Sequence, residues 1–292
     1  MADVSAQLVA KLREKTGARM MDCKKALVES QAQAAGKDEA AWLAEAQNWL
    51  RKKSLDKGHA MAERAAAEGR LGYKLAADGK ALTVVEVTAN TDFVAKNEEF
   101  LKLLDDVAGL ADANKVDGVE KLRALPLGGT PVAEVIKALA GKIGENIGLK
   151  RVVRVEGEFG YYIHHDSKQA AVVELEGVSG EQARALGKDL AMHVVSAKPV
   201  PICVRREEVP PEMVAKEKEI LEERLKGDPK NAKKPPQILA KIIEGQLGKF
   251  YAERCLLDQP YYRDDKKTVA QVLKENGSAA VKRFVRFQVG VV

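Results

Sequence analysis

Cysteine and histidine are scarce in this chain, which has three of the first and four of the second among its 292 residues. Cys23, Cys203 and Cys255 lie far apart and form no CxxC pair, so there is no sign of a disulfide framework and a reducing compartment is predicted. The adjacent His164 and His165 fall in a predicted strand, where neighbouring side chains point to opposite faces and do not share a metal ion. No metal and no other cofactor is therefore predicted.

Long apolar runs are also missing. No stretch has the length needed to cross a bilayer. The N-terminal residues carry charge within the first dozen positions and contain no apolar segment of the signal-peptide kind. The sequence therefore predicts a cytoplasmic protein with no membrane partner.

A concentrated basic surface is not evident either. Lys and Arg number 48 against 43 Asp and Glu, which gives a net charge of +5. The basic residues form only short clusters, such as Lys24-Lys25 and Lys233-Lys234. This pattern favours solvated helix faces over a nucleic-acid-binding stripe, so no direct nucleic-acid partner is predicted.

The common catalytic signatures are absent. The chain has no GxxxxGK[ST], HExxH, GxSxG or kinase-type motif. By elimination, a binding or regulatory protein is favoured over an enzyme with its own chemistry. Two alternatives stay open from the residues alone: an RNA-binding adaptor that uses the basic helices, and a small-molecule enzyme.

Aromatic residues make up only 5% of the chain, so the core is expected to consist mostly of Ala, Val, Leu and Ile. Residues 4–53 show three short helical patterns. One carries Leu8, Val9 and Leu12 on a single face, and the third follows Asp38, a predicted N-cap. The segment 54–69 lacks a bulky apolar stripe and is predicted to be a linker.

An internal repeat is the most informative feature of the middle of the chain. Residues 69–87 align without gaps on 157–175, with eight of nineteen positions identical, among them Gly72/Gly160 and Asp78/Asp166. Each copy has a strand, a turn and a strand, and a long helical pattern follows it. The repeat predicts a duplicated unit of an antiparallel hairpin with a helix packed on one face, and hence an α+β fold.

The remaining segments complete the predicted architecture. A helix is expected over 132–142, a strand over 149–158, an antiparallel helical hairpin over 211–257, and a short helix and strand at the C-terminus. The expected domains are an N-terminal helical domain (1–55), a linker (56–68), two core subdomains (69–148 and 149–208), the helical hairpin (209–258) and a C-terminal module (259–292).

Phe93 raises a question because it stands between the apolar strand 81–87 and a helical pattern that continues after residue 97. Phe93 is seven residues before Phe100, so it fits the apolar face of that helix if the helix begins near residue 91. The second copy of the repeat has no large aromatic at this place and instead has Ser179 and Gln182, which predict a capping box. From the residues alone, a core role and a binding role for Phe93 are equally supported.

The chain resembles the bacterial elongation factor Ts family. TDFVAKN (91–97) after a strand is similar to one signature of that family, and LREKTGARMMDCKKAL (12–27) is similar to a second. GKIGENI (141–147) and AMHVVSAKP (191–199) are similar to further family segments. The order of parts also agrees, with a small ubiquitin-associated-like helical domain, a duplicated α+β core, a helical hairpin and a C-terminal module.

The resemblance departs at two places. Arg19 stands where the family usually has a small residue, and Thr88-Ala89-Asn90 precedes the Thr-Asp-Phe sequence in place of the usual Asn-Cys-Glu or Asn-Cys-Gln. Both departures flank the signature residues without replacing them. They concern the packing of the two loops.

The resemblance implies a guanine-nucleotide exchange factor for elongation factor Tu, the GTPase that delivers aminoacyl-tRNA. It implies that Asp92 and Phe93 enter the GTPase and displace the groups that hold magnesium and phosphate. The other implied contact residues, carried over from the matching motifs, are Thr91, Val94, Arg13, Met20, Met21 and His193. The sequence leaves open whether the helical hairpin forms a homodimer or stays free.

Overall fold

A computed structural model describes residues 4–16, 18–32, 38–61, 66–227 and 234–291 of the chain, which has an α+β fold. The described residues divide into two compact units. The first runs to Arg154 and includes the residues from Val289 onward, and the second is Val155–Gln288.

The first unit begins with the predicted three-helix bundle, formed by α1 (Ala6–Thr16), α2 (Met20–Ser30) and α3 (Glu39–Met61). The side chain of Asp38 accepts a hydrogen bond from the Ala41 amide at 2.8 Å, which confirms the predicted N-cap of α3. The apolar faces meet in a small core of Leu8, Val9, Leu12, Cys23, Ala26, Leu27, Leu43, Ala46 and Leu50.

The linker expected over 56–68 is partly wrong, because α3 continues as helix to Met61. The residues 54–61 contain good helix formers, so helix can extend without an apolar stripe to mark it. Residues 62–65 of the expected linker lie outside the described residues.

The bundle is followed by a three-stranded sheet and its helices. In chain order these elements are β1 (Glu68–Leu75), β2 (Ala81–Ala89), α4 (Glu98–Ala113), α5 (Val119–Ala124), β3 (Pro126–Leu127), β4 (Thr130–Pro131), α6 (Val132–Ile143) and β5 (Ile147–Glu156). The strand order is β1-β2-β5, with β1 and β2 antiparallel. Every residue of the central strand β2 is buried, and α4 packs against one face of this sheet with Val85, Val87 and Ala89 in the core between them.

The place of β5 corrects the expected division of the core. The strand predicted over 149–158 was assigned to the second subdomain, but it lies beside β2 in the first sheet. The boundary expected at residue 148 therefore falls near Arg154 instead. A strand pattern shows that a strand exists but not which sheet it joins.

The second unit repeats the arrangement around another three-stranded sheet. Its elements are β6 (Phe159–Ile163), β7 (Gln169–Glu176), α7 (Gly180–Ser196), α8 (Pro211–Gly227), α9 (Pro236–Arg254), β8 (Pro260–Tyr261), β9 (Asp264–Thr268), α10 (Val269–Glu275) and β10 (Ala280–Gln288). The strand order is β10-β7-β6, and both pairings are antiparallel. The C-terminal strand is thus part of the second core sheet, which corrects the expectation of a separate module over 259–292.

The predicted duplication is confirmed in detail. The Asp78 carboxylate accepts the Lys80 amide at 2.9 Å, and the Asp166 carboxylate accepts the Lys168 amide at 2.8 Å, so both hairpins use the same turn. The paired glycines serve helix packing: a Cβ on Gly72 would collide with the Leu104 side chain of α4, and one on Gly160 would collide with the backbone of α7. The repeat therefore conserves a turn and a close strand–helix contact.

Two local predictions around the second hairpin are wrong. Strand β6 ends at Ile163, so His164 and His165 are not on opposite strand faces, and their ring centroids lie 4.3 Å apart. Ser179 holds the N-cap position of α7, but its hydroxyl makes no capping bond. The first amide of the helix, that of Gly180, instead donates to the Glu158 carboxylate at 2.9 Å. A distant carboxylate therefore binds the N-terminus of α7, while the predicted Ser179 cap is not formed.

The predicted helical hairpin is confirmed as α8 and α9. Val214 near the start of α8 packs beside Phe250 near the end of α9, and Leu225 and Leu239 line one cavity at the other ends, so the two helices are antiparallel. Three large apolar side chains of the hairpin are exposed: Met213, Ile220 and Ile238. In the described part of the chain, no helix combines the length and the apolar character that a membrane span requires.

Candidate functional site

Phe93 is the most exposed large apolar side chain of the described residues, with 80% of its surface accessible. The helix that follows begins only at Glu98, so Phe93 is not its first core residue. The core interpretation of Phe93 is therefore wrong. Leaving a phenylalanine in water forgoes about 1.5–3 kcal/mol of burial free energy, so this placement has no benefit for the folded chain alone.

The backbone around Phe93 forms a compact turn between β2 and α4. The Phe93 carbonyl accepts the Lys96 amide at 3.2 Å, and the Thr91 carbonyl accepts the Ala95 amide at 3.3 Å. A short 3₁₀ turn, Val94–Lys96, leads to Asn97, whose side chain accepts the Glu99 amide at 2.9 Å and caps α4. These hydrogen bonds restrict the conformation of the turn.

Buried neighbours decide which way Phe93 points. Val94 and Ala95 are 6% and 2% exposed and pack into the core of the first unit beside Phe100. Because these two side chains face inward, the preceding side chain faces outward. The expectation that Val94 contacts a partner is not supported by this burial, and Val94 acts instead as an anchor of the loop.

A carboxylate from another part of the unit holds the start of the loop. The Thr91 hydroxyl lies 3.0 and 2.9 Å from the two oxygens of Glu145, and the Thr91 amide donates to the same carboxylate at 3.1 Å. One residue earlier, the Asn90 side chain accepts the Asn146 amide at 2.7 Å. The segment between α6 and β5 therefore supports the loop from below.

Asp92 carries the charge beside the aromatic ring. Its carboxylate pairs with the Lys96 ammonium at 2.7 Å, and both groups are open to solvent. Such an exposed pair contributes only about 0–1 kcal/mol to stability. The Lys96 ion pair therefore adds little to the stability of the loop.

The residues expected from the N-terminal signature also lie on the surface. Met20 and Met21, the first two residues of α2, are 56% and 72% exposed, and Arg13 on α1 is exposed as well. Two exposed methionines in sequence are unusual for a three-helix bundle whose core is already filled. The two side chains form an exposed apolar patch at the start of α2.

His193 does not join these surface residues, and this corrects its expected contact role. The ring is 2% exposed on α7. Its Nδ1 accepts the Tyr262 amide at 3.2 Å, and its Nε2 lies 3.0 Å from the Gln259 side-chain oxygen, so Nε2 carries the proton. Burial lowers the pKa of His193, with a smaller opposing effect from the Gln259 hydrogen bond. His193 stabilises the segment after α9 and presents no accessible atom.

Sequence reasoning missed Glu145 and Asn146 as supports of the loop, and it noted Arg19 only as a departure from the family pattern. Arg19 precedes Met20, and its guanidinium donates to the Ile143 carbonyl at 2.6 Å. The segment 141–147 was singled out only for its family resemblance. A Glu-Asn pair directly after a glycine that ends a helix is a usable signal, but it does not identify its partner.

Among the residues that the structure describes, no three His, Cys, Asp or Glu side chains come together as a metal site. The thiols of Cys203 and Cys255 lie 3.6 Å apart, and burial chiefly raises the pKa of Cys255 to about 12, so this thiol is protonated at neutral pH.

Comparison with known proteins gives the class first. The sequence model of the family described as Elongation factor TS matches residues 90–291. A curated protein named Elongation factor Ts from Methylococcus capsulatus is 41% identical over 291 residues, covering 98% of this chain and 92% of that protein. Proteins of the same name from Aromatoleum aromaticum and Deinococcus deserti are 42% and 40% identical, over 99% and 97% of this chain and 92% and 98% of their own.

These matches place the chain among the factors of translation elongation. The family match covers the second unit and the first unit from residue 90, which includes the Phe93 loop, and the match to the relatives extends through the N-terminal bundle. The chain belongs to the elongation factor Ts family.

Proposed function

We propose that this chain binds elongation factor Tu in its GDP form, in the cytoplasm, and promotes GDP release by inserting Phe93 and Asp92 near the magnesium and phosphate site. The observation that carries the proposal is the exposed Phe93 ring on a loop anchored by the segment between α6 and β5. Arg13, Met20 and Met21 extend the contact. The chain supplies binding energy and no chemical step.

The residue types suit this task. A GTPase holds its nucleotide largely through phosphate and Mg²⁺ contacts. A carboxylate such as that of Asp92 is a ligand type that Mg²⁺ accepts and that repels phosphate. An aromatic ring occupies space where those contacts were made, and its burial in the partner offsets their loss.

The magnitude limits what Phe93 does alone. Burial of one phenylalanine side chain is worth roughly 1.5–3 kcal/mol, and each tenfold change in affinity needs about 1.4 kcal/mol. Phe93 therefore accounts for about one to two orders of magnitude of nucleotide weakening. The rest has to come from the wider contact that includes Met20 and Met21.

The test is the release rate of a fluorescent GDP from elongation factor Tu, measured by stopped flow. Phe93→Ala is expected to slow release about 10- to 100-fold at equal factor concentration without lowering the melting temperature, because the ring makes no core contact. Leu75→Ala is the matched control. Leu75 is also exposed, but it lies at the turn end of the β1–β2 hairpin, away from the loop.

Equal release rates for wild type and Phe93→Ala would refute the insertion of Phe93. The RNA-binding adaptor has no comparable support, since the family match concerns translation elongation. It predicts salt-dependent binding of RNA by the isolated protein, which a mobility shift detects.

A further inference from the structure

The N-terminal bundle and the Phe93 loop are separate parts of the proposed contact, and one short segment touches both. The bundle lies against α6 through α3. Beside this contact an open groove of ≈ 280 Å³ is lined on the bundle side by Thr16, Ala18 and Leu50 and on the α6 side by Leu139 and Lys142. The α3–α6 contact does not itself include the start of α2, where Met20 and Met21 lie.

Arg19 joins the start of α2 to α6 at one point. Its guanidinium donates at 2.6 Å to the carbonyl of Ile143, the last residue of α6. The last carbonyls of a helix lack partners within the helix and carry partial negative charge, so a cation placed there is favoured. The next residue is Gly144, with φ at +88°, and a Cβ there would collide with the guanidinium. The glycine leaves open the space that the guanidinium occupies.

The same segment continues directly into the support of the Phe93 loop. Glu145 accepts the Thr91 hydroxyl and amide, and the Asn146 amide donates to Asn90. Four consecutive residues, 143–146, thus hold Arg19 on one side and the loop on the other. Arg19 is itself the N-cap residue of α2, immediately before Met20 and Met21.

We infer that Arg19 is a positioning residue that fixes the Met20–Met21 surface relative to Phe93, so that both reach the GTPase as one rigid contact. This inference rests on the proposed function. A rigid pair of contacts binds more tightly than a loose pair, because the second contact is already in place when the first forms. Arg19 itself is assigned no contact with the partner.

Two variants distinguish the contribution of the Arg19 guanidinium from that of the aliphatic part of its side chain. Arg19→Met keeps an unbranched apolar stem and removes the donor, and Arg19→Lys keeps a single cationic donor. In GDP release from elongation factor Tu, Arg19→Met is expected to raise the half-saturating factor concentration about three- to tenfold. The maximal release rate should stay within twofold of wild type because Phe93 remains anchored, and Arg19→Lys should restore part of the loss.

A second substitution asks whether the effect runs through the methionines. Met21→Ala is expected to raise the half-saturating concentration less in the Arg19→Met background than in wild type, since the methionine surface is then already misplaced. An equal cost in both backgrounds overturns the inference. An unchanged half-saturating concentration in Arg19→Met overturns it as well.

Hydrogen exchange of the free protein tests, in the absence of the partner, whether Arg19 holds the start of α2 against the end of α6. Amides in peptides covering 141–147 and 12–27 are expected to exchange faster in Arg19→Met than in wild type, and peptides of β7 should not change. Unchanged hydrogen exchange, together with weaker binding to elongation factor Tu, means that Arg19 contacts the partner directly, which overturns the inference. A wild-type protein that does not accelerate GDP release refutes the proposed function, while the exchange result still reports on Arg19.

Discussion

The bond between Thr91 and Glu145 gives the sharpest test of how the loop works. Thr91→Val keeps the shape of the side chain and removes the hydroxyl that lies 2.9 Å from the Glu145 carboxylate, while the amide donor at 3.1 Å remains. A hydrogen bond to a charged group contributes about 1.5–3 kcal/mol, and partial exposure and the remaining amide bond reduce this to about 1 kcal/mol.

The expected effect on the rate of GDP release follows from that free energy. In the proposed mechanism, a loop loosened by about 1 kcal/mol has to be ordered again for Phe93 to enter the partner, which corresponds to about a fivefold lower release rate. Glu145→Gln keeps one acceptor and is expected to cost less. The double variant should be less impaired than the sum of the two single variants, because each removes part of the same contact.

The assay is stopped-flow GDP release, with thermal melting of the same variants. Thr88→Val is the matched control, because the Thr88 hydroxyl also bonds outside its own strand, to the Gly148 carbonyl at 3.2 Å, but does not hold the loop. The control is expected to lower the melting temperature without slowing release at a temperature where it is folded. Equal slowing by both variants, or additive effects of Thr91→Val and Glu145→Gln, would refute the reasoning.

Two further predictions concern stability. Gly160→Ala places a methyl group against the backbone of Gly187 and should destabilise the second unit by about 1–3 kcal/mol in urea unfolding. The control, Gly245→Ala, lies in an exposed and open part of α9 and should stabilise the protein by about 0.5–1 kcal/mol. Equal effects of the two substitutions would contradict the close-packing explanation. The lowered pKa of His193 means that the unfolded chain takes up this proton at a higher pH than the folded chain, so the stability that neutral His193 contributes is present above about pH 6.5 and is lost as pH falls towards the folded pKa. His193→Gln should reduce the drop in melting temperature between pH 7.5 and 5.5, and an unchanged drop would contradict this assignment.

Local patterns predicted the elements whose signals are local. The helix α2 coincides with the predicted MMDCKKALVES, and the Asp38 cap and the Asp78 and Asp166 turns also follow from adjacent residues. In each case the partner atom lies within three residues. The repeat also predicted that each half of the core contains a strand hairpin followed by a helix, because the same local signals occur twice.

Pairings between distant residues could not be predicted in the same way. The strand β10 pairs with β7, although the whole helical hairpin separates them in the sequence, and β5 joins the first sheet. No residue pattern in either strand indicates which strand it pairs with. The same limit applies at the N-terminus of α7, where Glu158 replaced Ser179 as the acceptor.

The candidate site shows the same division between local and distant information. The repeat showed that the scaffold does not require an aromatic at residue 93, and the resemblance indicated its role. The anchoring by Glu145 and the contact of Arg19 with Ile143 depend on how α6 lies against its neighbours, which no local pattern records. Burial, which no residue type fixes, removed Val94 and His193 from the expected contacts.

In the proposed mechanism, Phe93 couples this chain's binding to the loss of nucleotide from the GTPase. Coupling of this kind is reciprocal, so bound GDP has to weaken the binding of this chain by the same factor by which the chain weakens GDP. The most direct measurement is the affinity of wild type and Phe93→Ala for nucleotide-free and for GDP-bound elongation factor Tu, by calorimetry. The account predicts that Phe93→Ala weakens binding to the nucleotide-free form about 10- to 100-fold and binding to the GDP form much less. An equal loss of affinity for both forms would contradict it, because Phe93 would then add to binding without displacing the nucleotide.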